Sequence, residues 1–272
     1  MSADPLVITS VKNPRIKSIA DLRDRREREA AGLTLIDGSR ELARALAGGA
    51  LVIEAFVDWE RLDAVGRLAV ADAHRRGTQV TEVSAPVLDR IAYGDRAEGV
   101  VATVRIPDLA LDRCRIPAEP LVVVLEAVEK PGNLGAVLRS ADGAGADAVI
   151  AADPRTDLFN PNAVRASVGT IFALPVASGS SADVLAWLRA KGIRIVTARV
   201  DAPGAYTETD LRGPVAIVLG SEADGLAPIW DGDDVTAVSL PMLGVADSLN
   251  VSTAAAILLY EARRQRGLPH PA

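Results

Sequence analysis

The sequence predicts an α/β protein built from two domains, and three observations lead to that prediction. Over the first hundred residues, short apolar runs alternate with helical stretches, which is typical of strands connected through helices. The stretch 107–120 then carries three prolines and no clear periodicity, so it is a poor core element and a suitable linker. From Leu121 the runs become rich in β-branched residues, as expected for a parallel sheet covered on both faces.

The first predicted domain, residues 1–106, is a small α/β unit with a largely parallel sheet. Its strands are predicted where apolar residues cluster between turn signals, at 33–36, 52–57, 79–83 and 99–104. Helices are predicted between these strands, at 40–47, 62–75 and 87–92. The preceding stretch 12–28 carries many charges of both signs, and both a solvated helix and a local basic face fit it.

The second predicted domain, residues 121–272, repeats the alternation with stronger apolar runs. Its strands are predicted at 121–125, 148–151, 193–198, 215–219 and 235–240, with a short edge element at 174–176. Its helices are predicted at 134–144, 162–168, 182–190 and 248–266.

The composition limits the possible classes of protein. A chain of 272 residues, 49% of them hydrophobic, can bury one large core or two modest ones. No apolar run reaches the roughly 18 residues of a membrane span, and the N-terminus lacks the pattern of a signal peptide. We therefore expect a cytoplasmic protein with no membrane partner. The single cysteine, Cys114, and the two histidines argue against a disulfide and against a metal site.

The net charge of −6 argues weakly against a nucleic-acid partner, because such partners bind to basic surfaces. The first 106 residues are electrically balanced, however, and the excess of acidic residues lies in the C-terminal part. A basic face on the first domain is therefore compatible with an acidic protein.

Three segments of the second domain carry more glycine and polar residues than packing requires, and each follows a predicted strand. Open α/β sheets bind ligands at that end of their strands. The first segment, 131–139, holds Asn133, Gly135 and Arg139. It also fits an ordinary strand-to-helix turn with a surface arginine. It lacks the third glycine of a dinucleotide fingerprint, and Asp153 is the nearest acidic ribose partner, so a Rossmann-type nucleotide enzyme is the weaker alternative.

The second segment, 219–226, places two acidic residues between Gly220 and Gly225. Glycines in this arrangement suggest a backbone that is held close to a ligand. A helix N-terminus capped by Ser221, with acidic residues in its first turn, fits the same residues.

The third segment, 240–256, precedes and begins the last predicted helix. Ser248 would cap that helix, and its alanines would allow close packing. Neither explanation accounts for Asn250, because asparagine is a poor residue for the first turn of a helix unless its amide has a partner.

In this order, the three segments resemble the motifs of the SpoU (TrmH-like) RNA 2′-O-ribose methyltransferases of the SPOUT superfamily. The resemblance covers roughly residues 121–266, and residues 165–175 also look like the family. The first domain resembles, on softer cues, the substrate-binding domain that these enzymes often carry, with Asp37 where a glutamate is usual. The motif residues are Asn133, Gly135 and Arg139, then Leu219, Gly220, Ser221, Glu222 and Gly225, then Pro241, Met242, Ser248, Leu249, Asn250, Val251 and Ser252.

The resemblance implies a parallel sheet with a deep trefoil knot, preceded by a small RNA-binding α/β domain, and S-adenosylmethionine as the cofactor. The knot is a rare feature of folds, so this expectation depends on the family alone. The implied cofactor-binding residues are Thr197, Leu219, Gly220, Leu240, Met242, Ser248 and Leu249. The implied catalytic residues are Arg139, Asn133, Glu222, Ser248 and Asn250.

In the family the first-motif arginine lies beside the ribose 2′-hydroxyl. A guanidinium pKa of about 12.5 or more makes Arg139 a poor general base, so we expect it to stabilise the developing alkoxide and to grip a neighbouring phosphate. The RNA contacts that we expect are Arg15, Lys17, Arg26, Arg40 and Arg165.

The family also implies a homodimer through the C-terminal domain, with no metal ion. Ribosomal RNA is the preferred substrate, because a separate N-terminal RNA-binding domain looks more like the ribosomal branch. Transfer RNA, or a non-catalytic role in ribosome assembly, are the alternatives, and intact catalytic residues argue against the last. Both a housekeeping modification and one that protects the ribosome from an antibiotic are compatible with the sequence.

Overall fold

The computed structural model describes residues 7–93, 98–221 and 224–267. The chain forms two compact units. The first runs to Pro107 and includes Phe159–Ala173, and the second holds Asp108–Leu158 and continues from Leu174. Division of the sequence at 107–120 assigns residues 159–173 to the second domain, whereas in the structure this stretch packs within the first unit.

The helices and strands follow the predicted alternation. In chain order they are α1 (Pro14–Asp21), α2 (Arg25–Ala31), β1 (Leu33–Asp37), α3 (Ser39–Ala47), β2 (Val52–Val57), α4 (Ala64–Arg75), β3 (Gln79–Glu82), α5 (Ala85–Ile91), β4 (Val100–Arg105), β5 (Leu121–Glu126), α6 (Pro131–Ala144), β6 (Ala148–Ala152), α7 (Pro161–Ala166), β7 (Val176–Gly179), α8 (Ser181–Ala190), β8 (Arg194–Ala198), β9 (Gly204–Ala205), β10 (Val215–Leu219), β11 (Val235–Ser239) and α9 (Val251–Gln265).

The sheet of the first unit has the order β1–β4–β2–β3. β4 runs antiparallel to both β1 and β2, whereas β2 and β3 pair in parallel. The prediction of a largely parallel sheet is therefore wrong. Apolar alternation locates a strand but is the same for either chain direction, so it carried no information about the direction of β4.

The charged stretch 12–28 forms two short helices, and each begins at a side-chain cap. Asn13 Oδ1 accepts a hydrogen bond from Arg15 N (2.9 Å), and Asp24 Oδ1 accepts one from Arg26 N (2.8 Å). Arg28 is buried, and its Nη1 donates to the carbonyl oxygens of Leu22 and Arg23, both at 2.8 Å. Part of the positive charge of this stretch is thus used inside the fold.

The second unit is built on a parallel sheet in the order β7–β6–β5–β10–β8–β11–β9. Every residue of β5 and β10 is buried, which explains their continuous apolar sequence. α8 and the fully buried Trp230 pack against the central strands, and α6 packs against α9. The predicted α/β fold with a parallel C-terminal sheet is confirmed, and the trefoil knot stays a prediction.

Two local predictions in the second unit are wrong. Ser221 does not cap a helix, because the described residues around it form a closed loop. The last helix begins at Val251 rather than at residue 248, and its N-cap is Asn250 rather than Ser248. Within residues 7–93, 98–221 and 224–267, no helix combines the length and the hydrophobicity that a membrane-spanning segment requires.

Candidate active site

A cleft of about 510 Å³ opens at the carboxyl ends of β8, β10 and β11, where ligands of parallel sheets bind. Its walls are supplied by the residues that follow these three strands and by the first turn of α9. The cleft therefore brings the second and third sequence motifs together. Predicted cofactor residues that line it are Leu219, Gly220, Leu240, Met242, Ser248 and Leu249.

Thr197, the remaining predicted cofactor residue, lies in β8 immediately before Ala198, which lines the cleft. Its side chain is fully buried, and its hydroxyl has no hydrogen-bond partner in the protein. A buried hydroxyl without a partner costs free energy, so a polar group supplied by a ligand would satisfy it.

The loop after β10 is closed on itself. Ser221 and Gly225 exchange two backbone hydrogen bonds, of 3.1 and 3.2 Å, and Gly225 has a φ of +66°. A Cβ on Gly220 would lie 2.2 Å from the carbonyl carbon and oxygen of Gly225. Both glycines are thus needed for one wall of the cleft, and Glu222, the predicted catalytic residue within this loop, lies outside the described residues.

The first and third motifs meet through two asparagines. Asn250 Nδ2 lies 3.3 Å from Asn133 Oδ1, and Asn250 Oδ1 accepts hydrogen bonds from Ser252 N (2.9 Å) and Ser252 Oγ (2.6 Å). Asn250 therefore caps α9 and contacts α6 at once, which supplies the amide partner that its position requires. Asn133 lines a smaller cavity of about 100 Å³ that shares Gly220 and Ser221 with the cleft.

Arg139, the predicted catalytic arginine, lies on α6 and its side chain is exposed. It is thus on the helix that carries Asn133, and solvent can reach it. Within the described residues, no group of three or more histidine, cysteine, aspartate or glutamate side chains is arranged to hold a metal ion.

Arg155 joins two of the site loops, and it was not among the residues predicted from the sequence. Its Nη1 lies 2.5 Å from Glu129 Oε1, just before α6, and 3.2 Å from Asp224 Oδ2, in the glycine loop. Its backbone N–H donates to Val128 O at 3.0 Å. Hydrogen bonds to the two carboxylates raise the pKa of the Arg155 guanidinium. A lone arginine after a strand carries no recognisable pattern, which is why sequence reasoning missed it.

The predicted RNA-binding residues of the first unit divide into two groups. Lys17, Arg26 and Arg40 are exposed. Arg15 instead donates to the buried carboxylate of Glu54 (Nε to Oε2, 3.2 Å), and Arg165 Nη1 lies 3.6 Å from Asp37 Oδ2.

The pair of Arg15 and Glu54 stabilises a buried charge in the first unit. Burial raises the pKa of Glu54, and the charge of Arg15 opposes that rise. The guanidinium of Arg15 also lies 5.8 Å from the centre of the Phe56 ring. Arg15 and Arg165 therefore have partners inside the first unit.

Residues 120–260 match the model of the SpoU rRNA Methylase family, and residues 13–102 match the MRM3-like substrate binding domain. The chain belongs to the SpoU rRNA methylase family. This SpoU family member is 34% identical to the 23S rRNA (uridine(2479)-2′-O)-methyltransferase of Streptomyces viridochromogenes, over 90% of this chain and 87% of the relative. It is 29% identical to the 23S rRNA (guanosine(2553)-2′-O)-methyltransferase RlmP of Bacillus subtilis, over 94% and 98%.

Solved structures agree with this membership. A structure described as an RNA 2′-O ribose methyltransferase is 41% identical, with a TM-score of 0.84 over 97% of this chain and 100% of that one. An AdoMet-bound rRNA methyltransferase from Sinorhizobium meliloti is 30% identical, with a TM-score of 0.86 over 95% and 97% of the two chains. The SpoU family member thus shares both of its units with these proteins.

Proposed function

We propose that this chain transfers a methyl group from S-adenosylmethionine to a ribose 2′-hydroxyl of 23S ribosomal RNA. The observation that carries the proposal is the cleft at the carboxyl ends of β8, β10 and β11, which is lined by residues of the second and third motifs and adjoins Asn133 of the first. The ribosomal substrate follows from the family and from the activity named for its relatives. It is consistent with the cytoplasmic location expected from the sequence.

The residues of the cleft fit S-adenosylmethionine in three respects. The unpartnered hydroxyl of Thr197 offers a hydrogen bond, and the glycine loop allows a ligand to approach its backbone. Asp201 and Asp247 line the cleft, and their carboxylates complement the positive charge of a sulfonium and an ammonium group. Asp224 and Arg199 also line it, but Asp224 is paired with Arg155 and Arg199 with Asp231. The cofactor contains no phosphate, which agrees with the missing phosphate-binding loop.

The bound cofactor supplies an electrophilic methyl group, and the protein must orient the ribose oxygen towards it and favour loss of its proton. We propose that Arg139, exposed on α6, provides the positive charge beside that oxygen and contacts an adjacent phosphate. The linked amides of Asn133 and Asn250 fix the position of the first motif relative to the third. Glu222 and Ser248 are assigned to positioning roles on the resemblance to the family.

We further propose that the first unit binds the RNA through the exposed side chains of Lys17, Arg26 and Arg40. Arg15 and Arg165 are less suited to this role, because each has a carboxylate partner in the fold. Phosphate contacts weaken with salt, so replacing Lys17 or Arg26 should lower RNA affinity more at low than at high ionic strength.

A homodimer through the second unit is also proposed. Leu243 and Val245, in the third segment, are almost fully exposed, and Leu249 and Tyr260 are partly exposed. Exposed large apolar side chains, three of them within residues 243–249, are typical of protein interfaces. Sedimentation equilibrium should give twice the chain mass, and a double change of Leu243 and Val245 to serine should shift the protein towards the monomer.

The decisive experiment combines cofactor binding with RNA mapping. Calorimetry should detect saturable binding of S-adenosylmethionine, and 2′-O-methyl mapping should reveal one 23S position that depends on the enzyme. Arg139→Ala should lose turnover at least about 100-fold while its cofactor Kd stays within about twofold of the wild type. Full turnover by this variant would contradict the assigned role. If only transfer RNA is methylated, the proposed ribosomal substrate is wrong. If S-adenosylmethionine does not bind, the proposed methyltransferase activity is wrong.

A further inference from the structure

A buried carboxylate lies beside the cleft and is not part of any motif recognised in the sequence. Glu126 is the last residue of β5, and only 4% of its surface is exposed. It lines the small cavity that also contains Asn133, Gly220 and Ser221. A carboxylate is costly to bury, so its hydrogen-bond partners indicate what it stabilises.

Three donors from two parts of the second unit, the start of α8 and the segment 227–230, converge on this carboxylate. Ser181 Oγ, at the start of α8, donates to Oε1 at 2.7 Å, and the indole Nε1 of Trp230 donates to the same oxygen at 2.8 Å. The backbone N–H of Ala227 donates to Oε2 at 2.7 Å. The two carboxylate oxygens therefore have different partners: Oε1 accepts hydrogen bonds from two side chains, and Oε2 accepts one from the backbone.

The backbone that Oε2 holds is the end of the glycine loop. This loop leaves β10 at Leu219, closes through Ser221 and Gly225, and passes through Leu226 to Ala227. Leu219, Gly225 and Leu226 all line the cleft. The start of the loop is fixed because β10 pairs with β5 and β8. Its end is held by the hydrogen bond from the backbone N–H of Ala227 to Glu126 and by the side chains of Leu226 and Trp230, which are buried in the core of the second unit.

We propose that Glu126 is a positioning residue for the methyl-transfer reaction, which holds the cleft-lining loop in its cofactor-binding shape through Ala227 N–H. The inference rests on the proposed binding of S-adenosylmethionine in the cleft. Glu126 acts on the cofactor only through the loop, and it needs no contact with the cofactor or the RNA.

Glu126→Gln distinguishes between the two carboxylate oxygens. A glutamine has one carbonyl oxygen, which keeps Ser181 and Trp230 when it occupies the Oε1 position. Its NH₂ group then faces the N–H of Ala227, so two donors oppose each other and the loop end is released. The reversed orientation would oppose the indole N–H with the NH₂ group, and an indole cannot accept a hydrogen bond.

Ser181→Ala is the matched control, because it removes a hydrogen bond of similar length to the same carboxylate without touching the loop. Both variants should lower Tm, by about 2–6 °C, since each leaves a buried polar group with fewer partners. The cofactor Kd, measured by calorimetry on the full chain, should rise at least about tenfold in Glu126→Gln and stay within about twofold of the wild type in Ser181→Ala.

The outcomes separate this inference from the proposed function. If the wild type does not bind S-adenosylmethionine, the proposed function fails. If the wild type binds it and Glu126→Gln binds it equally well although amide exchange at Ala227 has become fast, Glu126 is structural only and the positioning role is overturned. An equal loss of affinity in both variants also overturns it, because the effect would then follow general destabilisation.

A measurement on the wild-type protein decides the matter if Glu126→Gln does not fold. Amide hydrogen exchange should be slow at Ala227, as in β10, and fast at the exposed Asp224, whose N–H donates to Ser221 Oγ. Exchange at Ala227 as fast as at Asp224 would show that the end of the loop is not held, and it would overturn the proposal.

Discussion

Gly220→Ala is expected to distort the loop that lines the cofactor cleft without unfolding the second unit. The new methyl group would lie 2.2 Å from the carbonyl carbon and oxygen of Gly225, more than an ångström short of ordinary van der Waals contact. Those atoms cannot move freely, because Ser221 and Gly225 are joined by two hydrogen bonds of 3.1 and 3.2 Å. Overpacking of this kind costs about 1–3 kcal/mol, which corresponds to about 5- to 150-fold in affinity if the loop must open.

Calorimetry with S-adenosylmethionine measures this effect, and circular dichroism confirms that the variant is folded. Gly244→Ala is the control, because Gly244 lies in the third segment and a Cβ there would meet nothing within 4 Å. It should bind the cofactor as the wild type does. An unchanged Kd for Gly220→Ala would refute the reasoning, since the loop could then accept a side chain where the structure leaves no room.

Asn250→Ala should lower the stability by about 1 kcal/mol and Tm by about 2–4 °C, because it removes the cap of α9, whereas Asn250→Ser should keep the cap and most of the stability. Arg165→Ala should lower the free energy of unfolding by about 1 kcal/mol, because it deprives the buried Asp37 carboxylate of its guanidinium; an unchanged Tm would favour Arg165 as a surface RNA contact instead. Burial raises the pKa of Glu41 above its ordinary 4.5, so the folded protein binds a proton that the unfolded chain has released, and stability should fall as the pH rises from about 4.5 through the folded pKa. Glu41→Gln should remove this decline, and Tm measured at pH 4.5 and pH 7 would reveal it.

The sequence predicted the cleft better than it predicted the packing around it. The loops after β10 and β11 could be located because strands leave continuous apolar runs and because the glycines and polar residues that follow these strands exceed what packing requires. The loop after β8, which also lines the cleft, was not singled out. The role of Asn250 was predicted only in part. The sequence indicated that its amide needs a partner. That Asn250 caps α9 and contacts Asn133 could not be predicted, because both depend on the residue at which α9 begins.

Other features depend on contacts that no local pattern encodes. The direction of β4 is set by its neighbours β1 and β2, and its own residues are apolar in either direction. The convergence of Ser181, Ala227 and Trp230 on Glu126 joins residues that lie 55, 101 and 104 positions away from it in the chain. A single sequence carries no signal for hydrogen bonds between residues so far apart in the chain, because each of these residue types is common at such positions for other reasons.

Because Phe159–Ala173 belongs to the first unit, this chain cannot be divided into its two units at a single position. The chain passes between the units three times, after Pro107, Leu158 and Ala173. A fragment that stops at residue 107 lacks Phe159 O, which accepts a hydrogen bond from Thr34 Oγ1 (2.6 Å), and Val168 O, which accepts one from Arg44 Nη1 (2.7 Å). Recombination at the proline-rich linker alone would therefore separate the first unit from a piece of its own core. An exchange of the first unit of this chain must therefore transplant two stretches of gene together.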